Sequence, residues 1–141
     1  MLHTASEVIS LARKLENESA KFYEGLSRRY PKDEDVLLSF AEENGKNVVQ
    51  IERVYYGVIT DAIESCFAFS INPDDYAFKT ELTENASYSD ALDKAIEMEE
   101  NIGEFYTVAA EQSKSLMADV PRAFMMVAKK RGNRVAKLRS L

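Results

Sequence analysis

Apolar positions recur at three-to-four-residue spacing along most of this chain, the periodicity of helices that bury one face. Val8, Ala12, Leu15, Ser19, Phe22, Tyr23 and Leu26 share a face of a first helix opened by Thr4-x-x-Glu7, a capping-box pattern. Pro31 and Asp33 break the chain and restart it. Leu37, Ala41, Asn44, Val48, Ile51 and Tyr55 then keep a seven-residue rhythm that continues weakly through Ile59 and Ile63. The rhythm is lost over about 66–88, where Asn72–Pro73–Asp74–Asp75 reads as a turn. A third helix is expected after Ser87–Tyr88–Ser89–Asp90, with Leu92, Ala95, Met98, Ile102, Phe105 and Ala109 inward. A fourth begins near Asp119–Val120–Pro121, proline being welcome in a first turn, with Phe124, Val127, Ala128, Val135 and Leu138 inward. The pattern therefore predicts four helices near 5–29, 34–65, 89–116 and 120–139, with 66–88 as a crossover. Short, long and short links between them give an all-α, up-down four-helix bundle with one long crossover between helices 2 and 3.

The two halves repeat. Glu16-x5-Phe22–Tyr23 in the first helix recurs as Glu99-x5-Phe105–Tyr106 in the third, 83 residues on. Ala41-x3-Gly45-x2-Val48 recurs as Ala128-x3-Gly132-x2-Val135, 87 residues on. Inward positions carry most of this identity, as expected of a duplicated helix pair.

Composition narrows the class of protein. With 141 residues, 45% hydrophobic and 30% charged, the chain suits one domain spanning 1–141. Five Gly and three Pro are few for an all-β fold. The longest apolar run, Val54–Ile59, is far short of the roughly 18 residues of a membrane span. The start of the chain lacks the basic and apolar regions of a signal peptide, so a cytoplasmic location without membrane partners is expected. A single cysteine, Cys66, excludes an internal disulfide and a Cys-ligated metal centre, and reads as a small buried hydrophobe or a bystander. Residues 1–118 carry a net −12, whereas 119–141 carry +6 through Arg122, Lys129, Lys130, Arg131, Arg134, Lys137 and Arg139. A basic helix can serve nucleic acid, but an acidic body would repel a polyanion at this scale. Packing beside acidic helices is the preferred reading, and no nucleic-acid partner is expected.

The repeated Glu-x5-Phe-Tyr, the Ala followed by a polar slot, and the long link between halves resemble the ferritin-like proteins, and among them the rubrerythrin group, over nearly the whole chain. That resemblance implies two irons held mid-bundle by one Glu from each odd helix and a Glu-x-x-His from each even helix. Residues three apart share a helix face, so both would aim at the axis. Carried over position by position, Glu16 and Glu99 occupy the odd-helix ligand slots. The slots on the second helix hold Asn44 and Asn47, and those on the fourth hold Arg131 and Arg134. The additional Glu that rubrerythrins place three residues after the third-helix ligand is replaced by Ile102. His3, the single histidine, precedes the first helix and lies too far along the axis to substitute. A register slip that makes Glu43-x-x-Lys46 the vestigial pair is a weaker alternative, since Glu43 lies off the apolar face.

Two inward carboxylates without metal would repel each other and suffer desolvation of several kcal/mol per ion. Two inward arginines restore neutrality with forked donors suited to carboxylates, and they oppose iron: one unit charge at about 4 Å repels another by about 4 kcal/mol at an effective dielectric of 20. Asn is a weak neutral ligand. The expected reading is thus a ferritin-like bundle with a degenerate two-iron site and no cofactor. It would act as a non-catalytic structural, binding or regulatory module, with Glu16, Asn44, Asn47, Glu99, Arg131 and Arg134 as vestigial metal-site positions. The alternative is an iron-binding oxidoreductase of the same family that handles peroxide or oxygen at an altered site. The resemblance also implies a homo-oligomer, a dimer being favoured. The lack of any Cys-x-x-Cys removes the rubredoxin electron-transfer module found in full rubrerythrins.

Overall fold

Thr4 begins the first helix in the way its sequence foretells. Its hydroxyl accepts the Glu7 amide at 3.2 Å while the Glu7 carboxylate accepts the Thr4 amide at 3.1 Å, satisfying donors that a helix start leaves free. The Thr4 and His3 amides, both donating to it, hold the Glu7 carboxyl below its ordinary range. Helix α1 (Ala5–Arg29) ends where Tyr30 leaves helical geometry ahead of Pro31. A single 3-10 turn, Pro31–Asp33, leads into α2 (Glu34–Val58). A second capping box, Ser87 with Asp90, opens α3 (Tyr88–Gln112), and α4 spans Asp119–Arg139. The computed structural model describes residues 1–58, 68–114 and 119–141. The expected end of the second helix near 65, and Cys66 with it, lie outside the described residues. The third helix stops at Gln112 rather than 116, because Ser113 adopts a cap conformation. No helix among the described residues is long and apolar enough to cross a membrane.

Helix α1 packs mainly on α2 and α3 mainly on α4, and the two pairs meet chiefly through α2 and α4. Their shared core includes Val8, Leu15, Tyr23, Leu37, Met98, Ile102, Phe105, Tyr106 and Val127. Full burial of a side chain such as Leu or Phe contributes about 1.5–3 kcal/mol.

The crossover follows its own course. Leu2 and Ile71 exchange backbone hydrogen bonds at 2.6 and 3.1 Å, and the Phe69 amide donates to the His3 carbonyl at 3.1 Å. Gln112, at the end of α3, brackets Ser70 with bonds of 2.8 and 3.1 Å to its backbone N and O. Residues 68–72 therefore lie beside the start of α1 and the end of α3. After the 3-10 turn Pro73–Tyr76, the chain reaches the opposite end of α1, where Arg29 Nη2 donates to the carbonyls of Thr83, Glu84 and Ala86 at 2.8–3.1 Å. There the Tyr30 and Tyr88 rings stack at 4.5 Å, and the Tyr88 hydroxyl donates to Asp33. The crossover thus runs the length of the helices, so α1 and α3 lie antiparallel. Phe69, Ile71 and Tyr76 are buried along it. The periodicity did not mark these three as core, because an extended segment laid along a helix pair carries no helical spacing.

Candidate functional site

All six residues carried to the vestigial metal site are buried, and they converge midway along the helices. Glu16, Asn47, Glu99 and Arg131 are 0% exposed, Asn44 is 1% and Arg134 is 2%. Glu16 on α1 and Glu99 on α3 occupy repeat-related positions, and the Arg131 guanidinium from α4 lies between them. Its Nη2 donates to Glu16 Oε2 at 2.5 Å, and its Nη1 donates to Glu99 Oε1 and Oε2 at 2.8 and 3.0 Å. The same Nη1 donates to Ser19 Oγ at 3.1 Å. One cation therefore bridges two carboxylates from opposite halves of the repeat.

The two tyrosines of the repeat are exchanged across the centre. Tyr23 on α1 donates its hydroxyl to Glu99 at 2.5 Å, and Tyr106 on α3 donates to Glu16 at 2.7 Å. Each half thus binds the other half's carboxylate. Asn47 Nδ2 adds a long contact of 3.4 Å to Glu16, and Asn44 Nδ2 donates to Ser19 at 3.1 Å. Asn44 Oδ1 and Arg131 Nε are buried without a hydrogen-bond partner.

Arg134 has a different set of partners from those expected. It reaches Glu99 at 3.3 Å but pairs on its other side with Glu43, whose Oε1 lies 3.2 Å from Nε. Nη2 donates to the Phe40 carbonyl at 2.8 Å, and the guanidinium lies 5.0 Å from the Phe40 ring centre and 5.6 Å from that of Tyr23. Glu43, set aside as off the apolar face, is indeed at the rim, with a side chain 36% exposed, yet it belongs to the network. Lys46 is exposed on α2. Beside the buried arginines, Lys129 is exposed, and Lys130 reaches Asn47 and Gln50 at 3.5 Å.

The electrostatics of this arrangement are those of an internally compensated salt. Burial alone would weaken the Arg131 charge, but the carboxylates of Glu99 and Glu16 outweigh it and hold the guanidinium more firmly protonated than usual. Burial and the adjacent carboxylates push the Tyr23 and Tyr106 phenols well above their ordinary range, so both remain neutral donors. The donor set does not fit a metal pair. The oxygens of Glu16 and Glu99 are turned onto a fixed cation, and the even-helix slots offer amides and guanidiniums in place of carboxylate and imidazole. Among the described residues, no group of three or more His, Cys, Asp or Glu side chains is arranged to hold a metal ion. What the centre can do chemically is fix the four helices to one another. Apart from Glu43 at the rim, its side chains are closed to solvent.

Two members of the network are not singled out as site residues by the sequence. Ser19 lies on the inward face of the first helix, but its repeat counterpart is Ile102, so the internal repeat gives no reason to mark it as part of a site. The Phe40 carbonyl is a backbone acceptor, invisible to residue type. Comparison with protein-family models, with curated proteins and with solved structures finds no match.

Proposed function

We propose that this chain is a ferritin-like bundle of the rubrerythrin type in which an arginine-centred salt replaces the two-iron site, leaving a non-catalytic structural, binding or regulatory module. One observation carries the reading: a fully buried guanidinium, Arg131, joins Glu16 and Glu99, the two carboxylates that occupy the ligand slots of that family. The exchanged tyrosines support it, because each donates to one of those carboxylates from the opposite half of the repeat. The run of the crossover along the helices, with α1 antiparallel to α3, is the connection such a bundle requires. Association into a dimer is part of the same proposal and rests on the resemblance alone.

Elemental analysis of protein purified without chelator, followed by anaerobic Fe(II) titration, tests this. The expected result is no stoichiometric iron and no peroxide-dependent oxidation of added Fe(II). Two irons bound per chain, with turnover, would overturn it. The converse experiment rewrites the slots with Arg131→Glu, Arg134→His, Asn44→Glu and Asn47→His. This variant should bind iron where the natural sequence does not, and equal binding by both would defeat the proposal. A sedimentation measurement that finds only monomer would remove the dimer.

A further inference from the structure

A cavity of about 280 Å³ lies between α1 and the crossover, lined by Lys21, Phe22, Gly25, Leu26, Arg29, Thr80 and Leu82. It is separate from the ion-pair centre and does not depend on the reading given above. Its α1 wall consists of residues at three-to-four spacing, so one stripe of the helix faces the crossover. Phe22 and Leu26 are buried and make an apolar floor, which Leu82 extends from the crossover side. Two cations, Lys21 and Arg29, stand on the lining, and no carboxylate does.

Two further features bear on what the cavity can hold. Gly25 sits in the interior of α1, where glycine costs about 1 kcal/mol relative to alanine. Its φ is not positive, and a Cβ built on it would meet nothing within 4 Å. Neither backbone conformation nor packing within the chain calls for glycine there, and because Gly25 lines the cavity a larger side chain at this position would narrow it. Arg29 is already positioned: all three of its bonds to the crossover carbonyls use Nη2, which leaves Nε and Nη1 for another acceptor.

We propose that this cavity binds a small amphipathic anion, a carboxylate bearing a short alkyl chain. The alkyl chain would lie on Phe22, Leu26 and Leu82 over Gly25, and the carboxylate would take hydrogen bonds from Lys21 and the unused donors of Arg29. Cations chosen over neutral groups, together with an apolar floor, are the pairing such a ligand requires.

Octanoate is the probe, titrated into the full-length protein and followed by calorimetry and by amide chemical shifts. Saturable 1:1 binding is expected, with shifts grouped at residues 21–29 and 80–82. Octanol and octylammonium serve as neutral and cationic counterparts, and each should bind at least tenfold more weakly. Gly25→Leu should abolish binding while leaving the circular dichroism and unfolding midpoint intact or improved. Lys21→Gln, at an exposed position, should weaken binding about tenfold, the loss of one charge-assisted hydrogen bond. Equal affinity for octanol, shifts elsewhere in the chain, or undiminished binding by Gly25→Leu would each overturn the proposal.

Discussion

Arg131 makes four hydrogen bonds to three side chains, and each of the three loses a donor if that residue is removed. Arg131→Ala should therefore cost about 3–5 kcal/mol, because the buried Glu16 carboxylate is left without a cation and Glu99 keeps only its longer contact with Arg134. Adding Glu99→Gln to Arg131→Ala should recover part of that loss, and the coupling energy from the four denaturation curves measures how much. A coupling near zero would mean that the pair contributes nothing beyond its separate parts. The tyrosines predict a pH response of definite sign. Their folded-state values lie above the unfolded reference of 10.0, so the neutral form is favoured by folding. The stability that they contribute is complete below pH 10 and is lost as pH rises beyond it. Alkaline unfolding monitored by phenolate absorbance should show two tyrosines ionising only as the fold opens, and Tyr23→Phe with Tyr106→Phe should remove that late phase. Of the six positions carried to the vestigial site, periodicity marks only Asn44 as inward; Glu16, Asn47, Glu99, Arg131 and Arg134 are marked through the family resemblance, and all six are buried. The pairing within the centre was less legible. Spacing places Arg134 at the centre's level but does not say that its long side chain turns toward Glu43 and the Phe40 carbonyl.

At the level of elements, helix bounds were readable because their stop and start signals are chemical. The boxes at Thr4 and Ser87 and the break at Pro31 each satisfy or withhold specific backbone groups, whereas Ser113 carries no such signal and the expected end lies at 116 instead. The crossover was not readable beyond its Asn72–Pro73 turn, where the Asn72 side chain accepts the Asp74 amide at 3.1 Å. What places it are contacts with residues far away in sequence, above all the Leu2–Ile71 bridge and the Arg29 bonds. Arg29→Ala should release the 83–86 stretch and cost about 1–2 kcal/mol, since bonds from a charged donor are at the stronger end of the range. Limited proteolysis should then cut between 79 and 87 while helicity is retained. A gain is expected at Gly103 on α3. A Cβ there would sit 3.7 Å from Arg131 Cβ, an ordinary contact, so Gly103→Ala should stabilise by about 0.5–1 kcal/mol through helix propensity. A lower melting midpoint would show that α3 and α4 need the closer approach.

Taken whole, the molecule is two helix pairs that share one polar centre. The bonds from Arg131 to Glu16, Tyr23 to Glu99 and Tyr106 to Glu16 all join one half to the other. A chain divided between residues 79 and 80 should therefore give fragments that unfold without cooperativity alone and recover a single sharp transition when mixed at equal amounts. Failure to recombine would mean that the unbroken crossover is needed to hold the pairs together. The exchanged contacts also have a consequence for the order of events during folding. They link residues 76, 90 and 115 positions apart, whereas the α1–α2 and α3–α4 hairpins close over short loops. Closing a long loop costs more entropy than closing a short one, so the hairpins should dominate the rate-limiting nucleus and the polar centre should assemble after it. Substitutions at Glu16, Glu99 or Arg131 should then leave the refolding arm of a chevron plot nearly unchanged and steepen the loss on the unfolding side. The arginine salt would act as a late-closing clasp, governing how long a molecule stays folded more than how quickly it gets there.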